Sequence, residues 1–251
     1  MKMLNKEEVT ALIKNVFEDY CDSFDKSLND LLVWPWTDEK TVIHESNQVH
    51  RFLDAYQKTG DEIVTWMELP VYYKDNKQLA HIDAFIADKK RKLIFFIEAK
   101  RLSRKEQVTS LQSDVHRLFD IAHEIYVGDN RFKGLNLFDY DAYMIPLADV
   151  WDYRGEWCEK YASNWGKEVY DIESIYTYTL TTLSRTLDIP EEQEKGKYHL
   201  LGALMPVFDS EKYKEELELK RRKTPGEAAD ASILVYADDI PFEYLLASVN
   251  K

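Results

Sequence analysis

Apolar residues recur at helical spacing in two segments that precede any strand-like pattern. In residues 5–20 they line one side of a predicted first helix, which Asn5 can cap. Residues 38–57 carry a second stripe and predict a second helix, which Thr37 or Asp38 can cap. Two amphipathic helices are therefore expected ahead of the first strand.

The inward side of the second predicted helix includes polar residues as well as apolar ones. Extended backwards by helical steps, its stripe reaches Glu45 and Gln48. A carboxylate on an inward face needs a cation or a hydrogen-bond donor, because burying an unpaired charge is unfavourable. Glu45 is therefore a candidate functional residue. The apolar members of the stripe are Val49, Phe52, Leu53 and Tyr56.

The pattern becomes strand-like after the second predicted helix. Residues 63–73 are rich in β-branched and aromatic side chains, and residues 81–87 form a short apolar segment. Residues 93–97 form a continuous apolar run, which is typical of a strand buried on both faces. Polar turns at 74–77 and 88–92 separate these segments. The pattern predicts a three-stranded meander.

A helix over 104–126 and a fourth strand over 141–151 are predicted next. The order of helix, three strands, helix and strand indicates an α/β or α+β fold, in which a mixed sheet is flanked by helices. The length of 251 residues suits one large domain over 1–251, or a core with an elaboration.

The pattern is weaker in the C-terminal extension at 151–251, whose role is left open. Residues 172–187 are compatible with a helix or a strand. Residues 212–223 predict a helix, 232–236 a strand and 242–249 a short final helix.

Two acidic residues interrupt the second and third predicted strands. Asp83 lies inside an apolar strand and Glu98 ends the next one, while Lys100 follows two residues later on the same face as Glu98. If Asp88 pairs with Leu93, a four-residue loop places Asp83 directly opposite Glu98. A two-residue loop places the two acids on a diagonal of the same face. Either loop brings them to within about 4.5–8 Å between Cβ atoms.

Carboxylates as close as those expected for Asp83 and Glu98 repel each other in a partly dry site, and a divalent cation removes the conflict. Hard oxygen ligands suit Mg²⁺ or Mn²⁺. The Lys100 ammonium beside such an ion can orient a water molecule, help to lower its pKa, or offset charge on a phosphate. Hydrolysis of a phosphodiester by a metal-activated water needs these parts and no covalent nucleophile. The pattern therefore favours a nuclease.

The two strand segments around these residues also resemble a known signature. They read His81-Ile82-Asp83-Ala84-Phe85-Ile86 and Phe96-Ile97-Glu98-Ala99-Lys100-Arg101-Leu102. Together they are similar to the PD-(D/E)xK, or restriction-endonuclease-like, superfamily, with Ile82 in place of the signature's proline. The resemblance covers residues 41–150 and implies a restriction-endonuclease-like core.

The resemblance also implies roles for individual residues. In that superfamily the two acids bind Mg²⁺ and the lysine assists the attacking water, so Asp83 and Glu98 would be metal ligands and Lys100 the catalytic lysine. The family often adds an acid from the helix that precedes the strands, a position that Glu45 matches. It also often places a polar residue on the helix after the motif, where Gln112 is the candidate.

The charge distribution bears on the expected substrate. A net charge of −13 argues against a protein that coats nucleic acid without specificity. Locally the balance reverses, because residues 89–105 include eight basic residues and one acidic residue. We expect the basic region beside the motif to meet a phosphate backbone, with DNA favoured and RNA left open. The candidate nucleic-acid-binding residues are Lys92, Arg101, Arg104 and Gln112.

Several features favour a cytoplasmic protein. No apolar run reaches the length of about 18 residues that a membrane span requires. The first residues lack the apolar stretch of a signal peptide, and the two cysteines, Cys21 and Cys158, show no metal-binding spacing. Free thiols in a reducing compartment are therefore expected. The histidines form no His-Glu-x-x-His pattern, which argues against a zinc site.

A non-catalytic protein is the alternative to a nuclease. A restriction-endonuclease-like fold can act as a binding module with a protein partner, and an acidic surface would suit a basic partner. A homodimer is also compatible with the sequence. If Asp83 and Glu98 instead faced opposite sides of the sheet, the resemblance would be accidental.

Overall fold

A computed structural model of the protein describes most of the predicted core. The described residues are 3–31, 44–73, 78–102, 135–152, 180–187 and 197–208. Helical residues are also described at 110, 111, 113–115, 117, 118, 121, 122 and 125, and we call them the 110–125 segment. The predicted elements at 212–223, 232–236 and 242–249 lie outside the described residues.

The first helix, α1, spans Lys6–Leu31 and begins with a reciprocal pair of hydrogen bonds. The Asn5 side chain accepts the Glu8 N–H at 2.9 Å, and the Glu8 carboxylate accepts the Asn5 N–H at 2.8 Å. Asn5 is thus confirmed as the cap. The helix is longer than the predicted 5–20 because its apolar side continues. Buried residues of this added part include Cys21, Phe24 and Leu28.

The second helix, α2, spans Glu45–Gln57 and begins later than the predicted 38–57. His44 caps it, since its Nδ1 accepts the Ser46 N–H at 3.3 Å. The predicted caps at 37 and 38 lie outside the described residues. Glu45 consequently lies in the first turn, where the positive end of the helix dipole favours an anion.

Within the described residues, six strands form one mixed sheet in the order β1-β2-β3-β4-β6-β5. The first three strands confirm the predicted meander and β4 confirms the predicted fourth strand. Strands β3 and β4 are parallel, and every other neighbouring pair is antiparallel. The protein therefore has a mixed α/β fold, and the predicted fold class is confirmed at this level. The strands are β1 (Ile63–Tyr73), β2 (Gln78–Asp88), β3 (Leu93–Arg101), β4 (Asp141–Asp152), β5 (Thr181–Leu187) and β6 (Lys197–Pro206).

Helical residues cover both faces of the sheet. Helices α1 and α2 pack against one face, which includes Phe95 and Ile145. The 110–125 segment packs against the opposite face, beside Phe96 and Met144. We call these the α1–α2 face and the 110–125 face. Because side chains alternate along a strand, each position of β3 can be assigned to one of them.

Part of the C-terminal extension belongs to the sheet itself. Strand β6 pairs with β4, and β5 pairs with β6. The alternative left open for residues 172–187 is thus decided in favour of a strand at Thr181–Leu187, because Leu183 and Leu187 pack into the α1–α2 face. Of the helices in the described ranges, none is both long enough and apolar enough to cross a membrane.

Candidate functional site

The turn between β2 and β3 sets the position of Asp83 relative to Glu98. Asp88 pairs with Leu93, which selects the four-residue loop from the two that the sequence allowed. The Asp88 carboxylate accepts the Arg91 N–H at 2.9 Å and pairs with the Arg91 guanidinium at 2.6 Å. Asp83 and Glu98 lie one step beyond the last pair of this ladder and are neighbours on adjacent strands.

A backbone irregularity occurs where Asp83 lies. Glu68 in β1 has a φ of 53°, a left-handed conformation that is uncommon for a residue with a side chain. On either side of it, Met67 packs toward the α1–α2 face and Leu69 toward the 110–125 face. The residues on either side of Asp83 likewise pack toward opposite faces. In a regular strand, the residues on either side of one position face the same side of the sheet. In both of these strands they face opposite sides, so the alternation of side chains is shifted by one residue at this point.

The Asp83 carboxylate is half-buried among other charged groups and a main-chain donor. Its Oδ2 accepts the Ala99 N–H at 2.7 Å. The pKa of Asp83 is raised to about 6, chiefly by burial. The nearby carboxylates of Glu68 and Glu45 add to the rise, whereas the Ala99 N–H and the Lys100 ammonium oppose it. Asp83 thus carries a charge that the protein compensates incompletely.

Glu98 and Lys100 point to the 110–125 face and form ion pairs there. Glu98 Oε1 lies 2.9 Å from Arg117 Nη2, and Lys100 Nζ lies 2.8 Å from Asp114 Oδ2. Arg117 Nη2 also lies 3.1 Å from Asp114 Oδ1, so the four side chains form a chain of alternating charge. Neither Arg117 nor Asp114 was predicted. The available signal was their spacing of three residues within a predicted amphipathic helix.

Glu98 and Lys100 differ in how well their ion-pair partners compensate their charges. Burial raises the pKa of Glu98 well above its usual value and Asp83 adds to the rise, although Arg117 opposes it. Burial also disfavours the charged form of Lys100, but the hydrogen bond to Asp114 and the nearby acids outweigh it and raise its pKa. Lys100 is therefore a stable cation, whereas a further cation beside Glu98 would stabilise the charged form of its carboxylate.

Glu45 joins the start of α2 to the end of β3. Its Oε1 accepts the Arg101 N–H at 3.0 Å. Its charge contributes to the raised pKa values of both Asp83 and Lys100. The charge of Glu45 is therefore close enough to Asp83 and Lys100 to act on both.

Arg101 points away from the other motif residues. Because side chains alternate along β3, Glu98 and Lys100 face the 110–125 side and Arg101 faces the α1–α2 side. Arg101 Nε lies 3.2 Å from Oδ2 of Asp149, a fully buried carboxylate. Asp149 was not predicted as a site residue. Its signal was an acid at an inward position of an otherwise apolar strand.

Of the other residues predicted to contact nucleic acid, Lys92 lies within the described residues. Lys92 ends the β2–β3 turn with a φ of 59°, and its Nζ lies 4.7 Å from the centre of the Tyr140 ring. Arg104 and Gln112 lie outside the described residues. The nucleic-acid-binding role of these residues stays a prediction.

The carboxylates of Asp83, Glu98 and Glu45 have the chemistry of a divalent-ion site. Their hard oxygens are the ligands that Mg²⁺ and Mn²⁺ prefer. Among the residues that the structure describes, however, no group of three or more His, Cys, Asp or Glu side chains is arranged to hold a metal ion. Glu98 is paired with the Arg117 guanidinium in this arrangement, so an ion bound by these carboxylates would have to displace that contact.

Comparison with protein-family models, with curated proteins and with solved structures found no match. The interpretation of the site therefore rests on its own residues.

Proposed function

We propose that the protein is a Mg²⁺- or Mn²⁺-dependent nuclease with a restriction-endonuclease-like core, which hydrolyses phosphodiester bonds in DNA. The proposal is carried by Asp83 and Glu98, which lie next to each other on adjacent strands. Burial and the charge of Asp83 together raise the pKa of Glu98. Strongly perturbed acids that lie side by side are typical of sites that hold a cation or move a proton.

The side chains around this pair suggest how they would divide the work. A bound divalent ion would supply an activated water molecule and stabilise charge on the phosphate. Asp83, Glu98 and Glu45 would hold the ion through carboxylate oxygens. Lys100 stays protonated, so it would bind the phosphate or orient the water and would not remove a proton itself. Asp114 would keep the Lys100 ammonium in place.

The ion pair between Glu98 and Arg117 is compatible with this function. The Arg117 side chain is 35% exposed, so the guanidinium can leave Glu98 without entering a buried environment. Guanidinium groups bind phosphates with two parallel hydrogen bonds, as they bind carboxylates. Arg117 would therefore move from Glu98 to a substrate phosphate when Glu98 binds the ion.

Cleavage assays with Mg²⁺ or Mn²⁺ on DNA and RNA substrates test the proposal. We expect DNA cleavage that a chelator abolishes and that falls about 100-fold or more in Asp83→Asn and in Lys100→Ala. Asp54→Asn is the matched control, because it neutralises an exposed acid of α2 that pairs with Lys58. Full activity in a folded Asp83→Asn or Lys100→Ala variant would remove the proposal.

A non-catalytic binding module is the second candidate, and specific contacts favour it. Each predicted metal ligand has a protein partner, which is Arg117 for Glu98, the Ala99 N–H for Asp83 and a β3 N–H for Glu45. In that case the cluster would stabilise a surface for a protein partner, and the net charge of −13 would favour a basic one. No cleavage together with no Mn²⁺ binding by calorimetry would favour the module.

A further inference from the structure

A second polar cluster lies buried on the α1–α2 face. Its centre is Asp149 of β4, which is 0% exposed. Gln48 and Tyr198 both donate hydrogen bonds to the Asp149 carboxylate, and Arg101 pairs with it. Burial raises the pKa of Asp149, against the opposing effects of the Arg101 guanidinium and the Tyr198 hydroxyl. The cluster, which we call the Asp149 cluster, joins α2, β3, β4 and β6.

Arg101 connects the Asp149 cluster to the candidate site. Its guanidinium contacts Asp149, whereas its main-chain N–H donates to Glu45 at 3.0 Å. The next N–H along the chain, that of Leu102, donates to the Asp149 carbonyl oxygen at 2.9 Å. Asp149 therefore holds the end of β3 through both its side chain and its main chain. The end of β3 in turn sets where the Glu45 carboxylate lies relative to Lys100.

Stability alone does not explain the Asp149 cluster. The desolvation of a buried ion pair roughly cancels its attraction, and apolar replacements are often neutral or stabilising. Among the described residues, Gln48 Oε1 and Arg101 Nη2 are also buried without a hydrogen-bond partner, which adds a penalty. A polar cluster with this unfavourable balance is better explained by the geometry that it imposes on its neighbours.

We propose that Asp149 is a positioning residue that acts through Arg101 to hold Glu45 beside Asp83 and Lys100, ready for a divalent cation. This inference deepens the proposed function and rests on it. Asp149 does not touch the ion or the substrate, because its carboxylate is fully buried on the opposite face of the sheet from Glu98.

Calorimetric titration with Mn²⁺ tests the positioning role in Asp149→Asn. Asparagine keeps the shape of the side chain and can still accept from Gln48, but it loses the charge that attracts Arg101. We expect the Mn²⁺ affinity to fall about 10- to 100-fold, as is usual when a group behind a metal ligand is changed. Cleavage at saturating Mn²⁺ should fall much less than the affinity, because the groups that contact the substrate are unchanged.

Ile13→Ala is the matched control for a general loss of stability. Ile13 is fully buried on α1, a helix that contributes no residue to the Asp149 cluster or to the candidate site, so its truncation opens a cavity without removing a group of either. The variant should unfold more easily and yet bind Mn²⁺ as the wild type does. An equal loss of affinity in both variants would show that destabilisation, not positioning, is the cause.

Amide hydrogen exchange of Arg101 gives a readout that needs no metal. Its N–H donates to Glu45 and should exchange about 10-fold faster in Asp149→Asn than in Ile13→Ala, because only the first variant loosens the end of β3. Arg101→Lys is a second variant, which keeps a cation for Asp149 but loses the planar fork of the guanidinium. Arg101→Lys should also lower the Mn²⁺ affinity, but by a smaller factor than Asp149→Asn does.

The outcomes separate this inference from the function on which it rests. If the wild type binds Mn²⁺ and a folded Asp149→Asn or Arg101→Lys variant binds it equally well, the positioning role is overturned and the nuclease proposal stands. If the wild type neither binds Mn²⁺ nor cleaves, the nuclease proposal and the metal part of this inference both fall.

Discussion

Asp83 and Ala99 are joined by a hydrogen bond that replaces a missing main-chain contact of the sheet. The Asp83 Oδ2 accepts the Ala99 N–H at 2.7 Å, just past the last residue pair of the β2–β3 ladder. A side chain therefore supplies the acceptor where the neighbouring strand no longer does. This contact orients the carboxylate before any ligand arrives, which is a requirement for a preorganised site.

The raised pKa of Asp83 predicts how the stability of the metal-free protein depends on pH. The folded-state pKa is about 6, whereas the unfolded-state value is about 3.9. The folded protein therefore binds this proton more tightly. The contribution of Asp83 to the free energy of unfolding is full below about pH 4 and is lost as the pH rises through about 6.

Asp83→Asn should remove this pH dependence, because asparagine has no carboxyl proton and can still accept the Ala99 N–H. A shift of about two pKa units corresponds to about 3 kcal/mol. Because Asp83 is partly exposed, we expect Asp83→Asn to be more stable than the wild type at pH 7 by a smaller amount, about 1–2 kcal/mol. Urea unfolding between about pH 4 and 7 measures it. Parallel stability curves for the wild type and the variant would contradict the prediction.

Asp54→Asn is a control for that experiment, because the pKa of Asp54 is shifted in the opposite direction to that of Asp83. The hydrogen bond from Lys58 lowers the pKa of the exposed Asp54 carboxyl group. The stability that Asp54 contributes is therefore present above its unfolded pKa and lost as the pH falls.

Divalent cations should stabilise the folded protein at neutral pH. A ligand that binds only the folded state, at about 100 times its Kd, raises the free energy of unfolding by about 2.7 kcal/mol. Glu98→Gln should lose most of this gain, since an amide is a weaker ligand than a carboxylate for a hard cation. Thermal unfolding with Mn²⁺, compared with KCl at equal ionic strength, measures the effect. An equal rise of Tm in both proteins would count against Glu98 as a ligand.

Glu68 should carry backbone strain. A φ of 53° costs a residue with a side chain about 1 kcal/mol relative to glycine. We expect Glu68→Gly to be more stable than Glu68→Ala by about 0.5–1 kcal/mol, because both variants remove the carboxylate and only glycine relieves the strain. Chemical denaturation compares the two. Identical midpoints would mean that the backbone relaxes when the side chain is shortened.

Arg117→Ala should leave Glu98 without its cation. Glu98 is 5% exposed, so an unpaired carboxylate there should lower the free energy of unfolding by about 1–3 kcal/mol at neutral pH. The loss should shrink as the pH falls, because the raised pKa of Glu98 allows protonation to remove the charge.

Arg117→Lys keeps a cation near Glu98 and should lose less stability than Arg117→Ala. Urea unfolding of both variants at acidic and neutral pH measures the difference. A loss in Arg117→Ala that does not change with pH would assign the effect to packing of the arginine stem.

Short-range patterns were sufficient to predict most elements and to limit one register to two alternatives. Alternation with period two and a polar turn allowed a four-residue or a two-residue loop between β2 and β3, and the pairing of Asp88 with Leu93 selects the four-residue loop. The helical stripe extended backwards placed Gln48 on the inward side, and Gln48 is 0% exposed. Both predictions depend on spacing within one or two adjacent elements.

Such patterns could not predict which side chains pair with the candidate residues. Arg117 and Asp114 meet Glu98 and Lys100 across the boundary between a strand and the 110–125 segment. No periodicity in the sequence identifies which of many charged side chains will form such pairs, because the choice depends on how the elements dock.

The sequence by itself determined that two helices precede a meander and that side chains alternate along β3, because these follow from contacts between residues that are close in the chain. Only the tertiary structure decided that Arg101 pairs with Asp149 and that the alternation reverses at Glu68 and Asp83. The physical reason is that buried charges take whichever partner close packing brings to them, and packing is a property of the whole fold.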